Sequence, residues 1–312
     1  MTQTLGFVFP GQGSQALGML SGLAEQYSLI GDTFTEAADA LGYDLWQLCK
    51  SGPEAELNRT DRTQPAILAA SVALWRLWEA NSDVRPGFVA GHSLGEYSAL
   101  VVAGVISFAD ALRLVERRGQ LMQEAVPAGE GGMAAILGLT DEQVIQACAE
   151  AAQGEVVSAV NFNAPGQVVI AGQARAVVRA IDACKAAGAK RAIALPVSVP
   201  SHCALMRPAA EQLSKDFTAL IWQAPAMTLI QNVTAQPAAD LDDLRTQLVE
   251  QLYSPVRWVE SVEYMAAKGV TDLVECGPGK VLSGLNKRCA KGVATHNLDS
   301  VDGFAAAIDR LV

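Results

Sequence analysis

The chain has 312 residues, 50% of them hydrophobic and 18% charged, a balance that fits one large or two moderate folded domains and excludes a disordered chain. Its formal charge of −10 excludes general affinity for nucleic acid, so an acidic partner would need a local basic patch. Six scattered cysteines with no CxxC pair, and only three histidines, give no metal-like spacing, so no metal is expected.

The opening "MTQTLGFVFP" lacks the basic region and long apolar run of a signal peptide, and no apolar stretch nears membrane-spanning length. A soluble, cytoplasmic protein without membrane attachment is expected. Residues 5–9 predict a short strand, broken by Pro10 and the glycines of "PGQGSQA". Gly11-x-Gly13-x-x-Ala16 after a strand also fits a dinucleotide fingerprint. That fingerprint wants a second strand ending in an acidic residue about 20 residues on, whereas "YSLIGDTFTEAADAL" reads as helix. The competing use of the turn is an oxyanion donor, the Gln12 backbone N–H; a purely structural turn is the plain alternative.

A helical stretch runs to about residue 48, followed by the turn "SGPEAELN" and a strongly apolar helix, "QPAILAASVALWRLWEA", with Pro65 expected in its first turn. Then "FVAGHSLGEYSALVVAG" reads as strand, tight turn and helix. Gly91-His92-Ser93-Leu94-Gly95 at its apex matches a nucleophile elbow, in which the sharp turn lifts the serine oxygen clear. Leu94, the residue after the nucleophile, would supply the second oxyanion N–H. A serine that merely caps the helix is the alternative.

"SFAD" has capping-box spacing, and "ALRLVERRGQLMQEA" follows with helical periodicity. Its apolar stripe comprises Ala111, Leu114, Val115, Leu121 and Met122, and Arg118 falls on that stripe. A guanidinium there is costly unless an anion pairs with it, and its planar fork suits a carboxylate. The anion is either a buried Glu or Asp of the chain or a substrate carboxylate.

From about 128 the order becomes β-α-β-β-α-β within some 70 residues, the pattern of a ferredoxin-like unit. The expected division is a large α/β domain of residues 1–127 and 197–312 with a small subdomain of residues 128–196 inserted into it. The remaining strands, in "MTLIQNVT", "VTDLVECGPGK" and "GVATHNL", alternate with helices and imply a mostly parallel sheet.

A serine nucleophile needs a base. His92 adjoins Ser93 on a sharp turn and points away; His202, in "VSVPSHCALM", lies just past a strand, where loops at carboxyl ends converge. His202 is the expected base. Cys203, next to it, has the wrong geometry to use it. An ordinary esterase order, Ser93…Asp272…His296, is the enzymatic rival, but it leaves Arg118 unexplained.

With "FPGQGSQ", "AGHSLGEYSAL", the stripe arginine, "NFNAPGQVVIAG", "PVSVPSHCALM" and "VECGPGKVLSGL" in this order, residues 4 to about 290 closely resemble the bacterial, free-standing malonyl-CoA:acyl carrier protein transacylases. The resemblance implies an α/β-hydrolase-like large domain, a ferredoxin-like small one and no metal or redox cofactor. It implies malonyl transfer from coenzyme A to the pantetheine thiol of acyl carrier protein in fatty-acid or polyketide chain extension. By motif, Ser93 would be acylated, His202 its base, Arg118 the carboxylate clamp, and the Gln12 and Leu94 backbones the oxyanion hole. Gln251 would orient His202 through a carbonyl oxygen in place of an acid. Ser201 fits the free-standing enzymes, and Cys276 carries no role. The family's carrier is acidic, so a basic landing site is implied: Lys185, Lys190 and Arg191, or Lys280, Lys287, Arg288 and Lys291. A scaffold that docks the carrier without catalysis is the non-enzymatic rival.

Overall fold

The computed structural model describes residues 2–197 and 199–312. Among them nine strands form: β1 (Thr2–Phe9), β2 (Pro86–Gly91), β3 (Gly131–Leu137), β4 (Val157–Ala164), β5 (Gln167–Gln173), β6 (Arg191–Ala194), β7 (Thr228–Ile230), β8 (Asp272–Glu275) and β9 (Ala294–Asn297). The fold is mixed α/β, with one parallel sheet ordered β7-β2-β1-β8-β9 and one antiparallel sheet ordered β4-β5-β3-β6.

The centre of the parallel sheet is β1, whose Leu5, Phe7, Val8 and Phe9 are all buried. A continuous apolar run of this kind suits a parallel strand covered on both faces. The helix Thr60–Asn81 is buried at every position from 63 to 75, as an all-round apolar helix must be. It starts earlier than its apolar run suggests, so Pro65 lies beyond the first turn and removes one helical hydrogen bond. Buried packing holds the helix together despite that loss. The single helical stretch expected up to residue 48 is broken instead into Ser21–Gln26, Ser28–Leu41 and Leu45–Ser51, with Gly42 at φ 80° ending the second. "SGPEAELN", expected as a turn, holds a four-residue helix, Glu54–Leu57.

The helix Phe108–Ala125 starts as its sequence predicts, with the Ser107 side chain accepting from the Asp110 N–H. Between β3 and β6 the chain follows strand, helix, strand, strand, helix, strand, with the helices Asp141–Ala152 and Ala174–Ala186. The two sheets are joined where the Val256 N–H donates to the Val160 carbonyl and the Phe162 N–H to that of Val256. Ala164 of β4 also packs in one cluster with Val8, Phe88 and Trp258. Strand β7 is shorter than "MTLIQNVT" suggested. After Ile230 the chain turns, with the Gln231 N–H donating to Gln236, and this frees Asn232 to reach back toward the end of β2.

Candidate active site

The residues at the carboxyl end of the parallel sheet meet the small sheet across a cavity of about 330 Å³, within the range of small-molecule sites. Gln12, Ser93, Leu94, Arg118 and His202 line it, with Met133, Asn161 and Leu195 from the small sheet's side.

The elbow after β2 is closed by contacts only glycine tolerates. A Cβ on Gly91 would lie 1.8 Å from the Gly95 carbonyl carbon, and one on Gly95 would lie 2.0 Å from the Phe9 carbonyl oxygen. Ser93 between them has φ 54°, a left-handed backbone that costs a non-glycine residue on the order of 1–3 kcal/mol. Asn232 holds it there: its Oδ1 accepts the Ser93 N–H at 2.7 Å, and its Nδ2 donates to the Gly91 carbonyl at 2.5 Å.

His202 is brought to Ser93, with Oγ to Nε2 at 2.7 Å. Its Nδ1 lies 2.7 Å from the main-chain carbonyl of Gln251. A carbonyl only accepts, so Nδ1 carries the proton and Nε2 presents its lone pair to the serine hydroxyl. Burial, with Arg118 nearby, pushes the imidazole down to about 3. The loop bearing His202 follows β6 of the antiparallel sheet, not a strand of the parallel one. Convergence of parallel-strand ends therefore accounts for Gln12 and Ser93 but not for His202, which the junction of the two sheets delivers. His202 also has φ 64°.

Arg118 is 1% exposed on its buried stripe. Its Nη1 donates to Gln64 Oε1 at 2.8 Å, and its Nη2 to Gln251 Oε1 at 3.0 Å and Ser93 Oγ at 3.4 Å. All three acceptors are uncharged, and its Nε has no partner among the described residues. Burial opposes the charge, yet a guanidinium stays protonated in proteins. The structural alternative, a buried Glu or Asp in direct contact, is absent among the described residues. Gln251 thus touches the site twice, by its main-chain carbonyl and by its side chain, whose Nε2 donates to the Ser93 carbonyl at 2.9 Å.

Among the described residues neither the Gln12 nor the Leu94 backbone N–H has a protein acceptor, and both residues line the cavity. They are donors available for an oxyanion. His92 turns away from Ser93, with Nε2 2.7 Å from Asn163 Oδ1. His296 pairs with Asp272 at 2.9 Å, and Asp272 stands beside Leu5 in the middle of β1, whereas the elbow follows Gly91, the register partner of Phe9 at the strand's carboxyl end. The esterase order therefore does not assemble. Cys276 is buried, its Sγ donating to the Ser71 carbonyl. No group of three or more His, Cys, Asp or Glu able to hold a metal occurs among the described residues, and no helix is long and apolar enough to cross a membrane.

Four residues of the site carried no prediction: Gln64, Glu96, Asn163 and Asn232. Gln64 had a signal, since a polar side chain directly before the apolar run of the helix Thr60–Asn81 is anomalous for the same reason as Arg118. Asn232 lies in a turn, and nothing local marks it.

A serine hydroxyl donating to a neutral imidazole, beside two unused backbone N–H groups, is the arrangement of a nucleophilic acyl-transfer site. The chain belongs to the acyl transferase family, whose model, described as an acyl transferase domain, matches residues 6–298. It is 58% identical over 309 residues to the malonyl CoA-acyl carrier protein transacylase of Escherichia coli strain K12, covering 99% of this chain and 100% of that one. Among solved structures, an acyl carrier protein S-malonyltransferase from Vibrio cholerae is 59% identical with a TM-score of 0.95, covering 97% of this chain and 99% of that one. A malonyl-transacylase in complex with a type II polyketide-synthase acyl carrier protein is 54% identical with a TM-score of 0.97, covering 98% and 99%.

Proposed function

We propose that this chain transfers a malonyl group from coenzyme A to the pantetheine thiol of acyl carrier protein through a Ser93 ester, for fatty-acid or polyketide chain extension in the cytoplasm. The observation that carries the reading is Arg118, a buried cation with uncharged acceptors only, opening beside a serine already bonded to its base. With no anion of the chain in direct contact among the described residues, the guanidinium can take one from outside, and the free carboxylate of a malonyl thioester supplies one beside the nucleophile.

His202 Nε2 takes the Ser93 proton as Oγ attacks the thioester carbonyl, and the Gln12 and Leu94 N–H groups receive the developing oxyanion. Collapse breaks the C–S bond, and the imidazolium returns its proton to the coenzyme A thiolate. The carrier's thiol then gives its proton to His202 and attacks the ester; the acyl C–O bond to Ser93 breaks, His202 returns the proton to Oγ, and the malonyl group leaves as the carrier's thioester. The Gln251 carbonyl fixes the imidazole tautomer without adding the negative charge an aspartate would bring, so the base stays weak and neutral. The chemistry needs no resident cofactor. The large α/β-hydrolase-like domain (residues 1–127 and 197–312) supplies the dyad and the clamp, and the ferredoxin-like insertion (residues 128–196) closes the cavity.

Initial-rate kinetics with malonyl-CoA and holo-acyl carrier protein test the proposal. Parallel double-reciprocal lines are expected. Intersecting lines, or release of free malonate with no requirement for the carrier, would refute it.

A further inference from the structure

The uncharged acceptors around Arg118 leave open what balances its charge before substrate arrives. One of them leads to a carboxyl group. Glu96, three residues past the nucleophile in the helix Gly95–Val102, is 1% exposed. Its Oε2 accepts from Gln251 Nε2 at 2.7 Å and from the Asn232 N–H at 3.3 Å. Gln251 is thus a bridge, with its amide nitrogen on Glu96 and its amide oxygen on Arg118.

We propose that Glu96, in its ionised form, is the resident counter-ion of Arg118, acting through the Gln251 amide, and that this carboxylate takes up a proton from solvent when a substrate carboxylate pairs with the guanidinium. The inference rests on the malonyl-transfer reading and deepens it. Two anions served by one buried cation are unfavourable, and the resident one is neutralised by protonation. The site then exchanges one buried charge pair for another without gaining a net negative charge. Recognition of the acyl group is therefore proton-linked, and Glu96 is a positioning residue that touches no substrate atom.

The surroundings support this assignment. Burial raises the Glu96 carboxyl to about 8, against the favourable pull of the Gln251 amide, the Asn232 N–H and Arg118. Removing the Arg118 pull by pairing it with substrate raises it further. The other titratable group beside it is Tyr97 on its own helix, held up at about 12 by burial and so uncharged in this range. Strands β1 and β2 carry no titratable side chain. On the helix Thr60–Asn81, Asp61 pairs with Arg59, Arg62 with Glu116, Arg76 with Glu36 and Glu79 with Arg85. Across the elbow, His202 is neutral throughout, being pushed down to about 3. Within the helix Leu241–Glu250 that leads to Gln251, Asp242 pairs with Arg245, and Asp243 accepts from Gln247 and the Ala239 N–H.

The sign follows. Below about pH 7 Glu96 is already protonated, and malonyl binding moves no proton. Above it the free site holds a carboxylate that binding must protonate, so affinity falls with rising pH by at most about tenfold per unit. The substrate carboxylate and Arg118 keep their charges across that range.

Calorimetric titration of Ser93→Ala with malonyl-CoA at pH 8, in buffers of different ionisation enthalpy, counts the protons directly. About half a proton taken up per site is expected, with none at pH 6 and none for acetyl-CoA. Binding without uptake at pH 8 overturns the inference while leaving malonyl transfer standing. No binding at all removes both. In the wild type, malonyl loading of Ser93 by rapid quench should lose apparent affinity between pH 7.5 and 9, values chosen to bracket the Glu96 transition at about 8. Glu96→Gln, which keeps an acceptor for Gln251, should load with a flat profile across the same range. A Glu96→Gln profile that still falls like the wild type contradicts the assignment.

Discussion

On the proposed reading, Arg118 is the residue that selects the acyl group. With no contacting anion, its two terminal nitrogens are held by Gln64 and Gln251, aimed at the space beside Ser93 Oγ. Truncation to Ala is expected to cost about 2–5 kcal/mol of malonyl recognition, the range for removing one partner of a buried charged pair. That corresponds to a fall in kcat/KM for malonyl-CoA of about thirtyfold or more, with acetyl-CoA much less affected. Equal losses for both thioesters would mean Arg118 only supports the fold. His202 gives a second, independent expectation. The unfolded chain's histidine protonates near 6.5 and the folded one near 3. The unfolded state therefore binds more protons between these values. The His202 contribution is complete above pH 6.5 and is lost as pH falls toward 3, by at most about 1.4 kcal/mol per pH unit. Urea midpoints of His202→Gln should fall less steeply than wild type from pH 6.5 to 4. The same depression keeps the base neutral in mild acid, so the acid limb of Ser93 acylation should lie below pH 5, under the ordinary histidine range.

The elements that carry these side chains are positioned by close backbone approaches. Gly119, next to Arg118, faces the start of the helix Thr60–Asn81, and a Cβ there would lie 2.6 Å from Asp61 Cα. Gly119→Ala should push apart the helices bearing Gln64 and Arg118. A loss of about 1–3 kcal/mol, read as a lowered Tm, should accompany a raised KM for malonyl-CoA; a normal KM with a lowered Tm would mean the clamp survives the displacement. This scale also shows what the sequence could disclose. Ser93 was legible because a glycine-bounded turn between strand and helix has one stereochemical solution. Arg118 was legible because a charge on an apolar stripe contradicts its surroundings. The antiparallel unit was legible in its element order, which the sheet order β4-β5-β3-β6 completes. For Gln251 the sequence points to a carbonyl oxygen without distinguishing main chain from side chain. The main-chain oxygen holds His202 while the side chain serves Arg118 and Glu96, a division no single-residue pattern encodes. Asn232 was invisible because its partners lie 139 and 141 positions away, across a turn whose only local sign is a short strand.

Across the whole molecule, the cavity lies where two sheets meet, and the thiol acceptor must reach it over the surface. The basic residues expected to receive the acidic carrier are not equivalent. Arg288 is exposed but already engaged, donating to Gln167 Oε1 and the Pro165 carbonyl and so tying the helix Val281–Cys289 to the turn between β4 and β5. Lys280 pairs with Asp299 and Lys185 with Asp182. Lys287 and Lys291 form no ion pair among the described residues. Lys287→Glu with Lys291→Glu should raise the carrier KM severalfold and leave malonyl loading from coenzyme A unchanged; an unchanged carrier KM would remove this face as the landing site. Arg288→Glu is expected to lower Tm as well, since it severs contacts between the two sheets' surroundings.

All of this depends on Ser93 carrying the acyl group while Arg118 holds its carboxylate. Intact-protein mass spectrometry after brief mixing with malonyl-CoA tests that most directly. The account predicts one malonyl adduct, lost in Ser93→Ala, strongly reduced in Arg118→Ala and discharged by holo-acyl carrier protein. An unmodified wild-type mass, or an adduct that persists in Ser93→Ala, would contradict it.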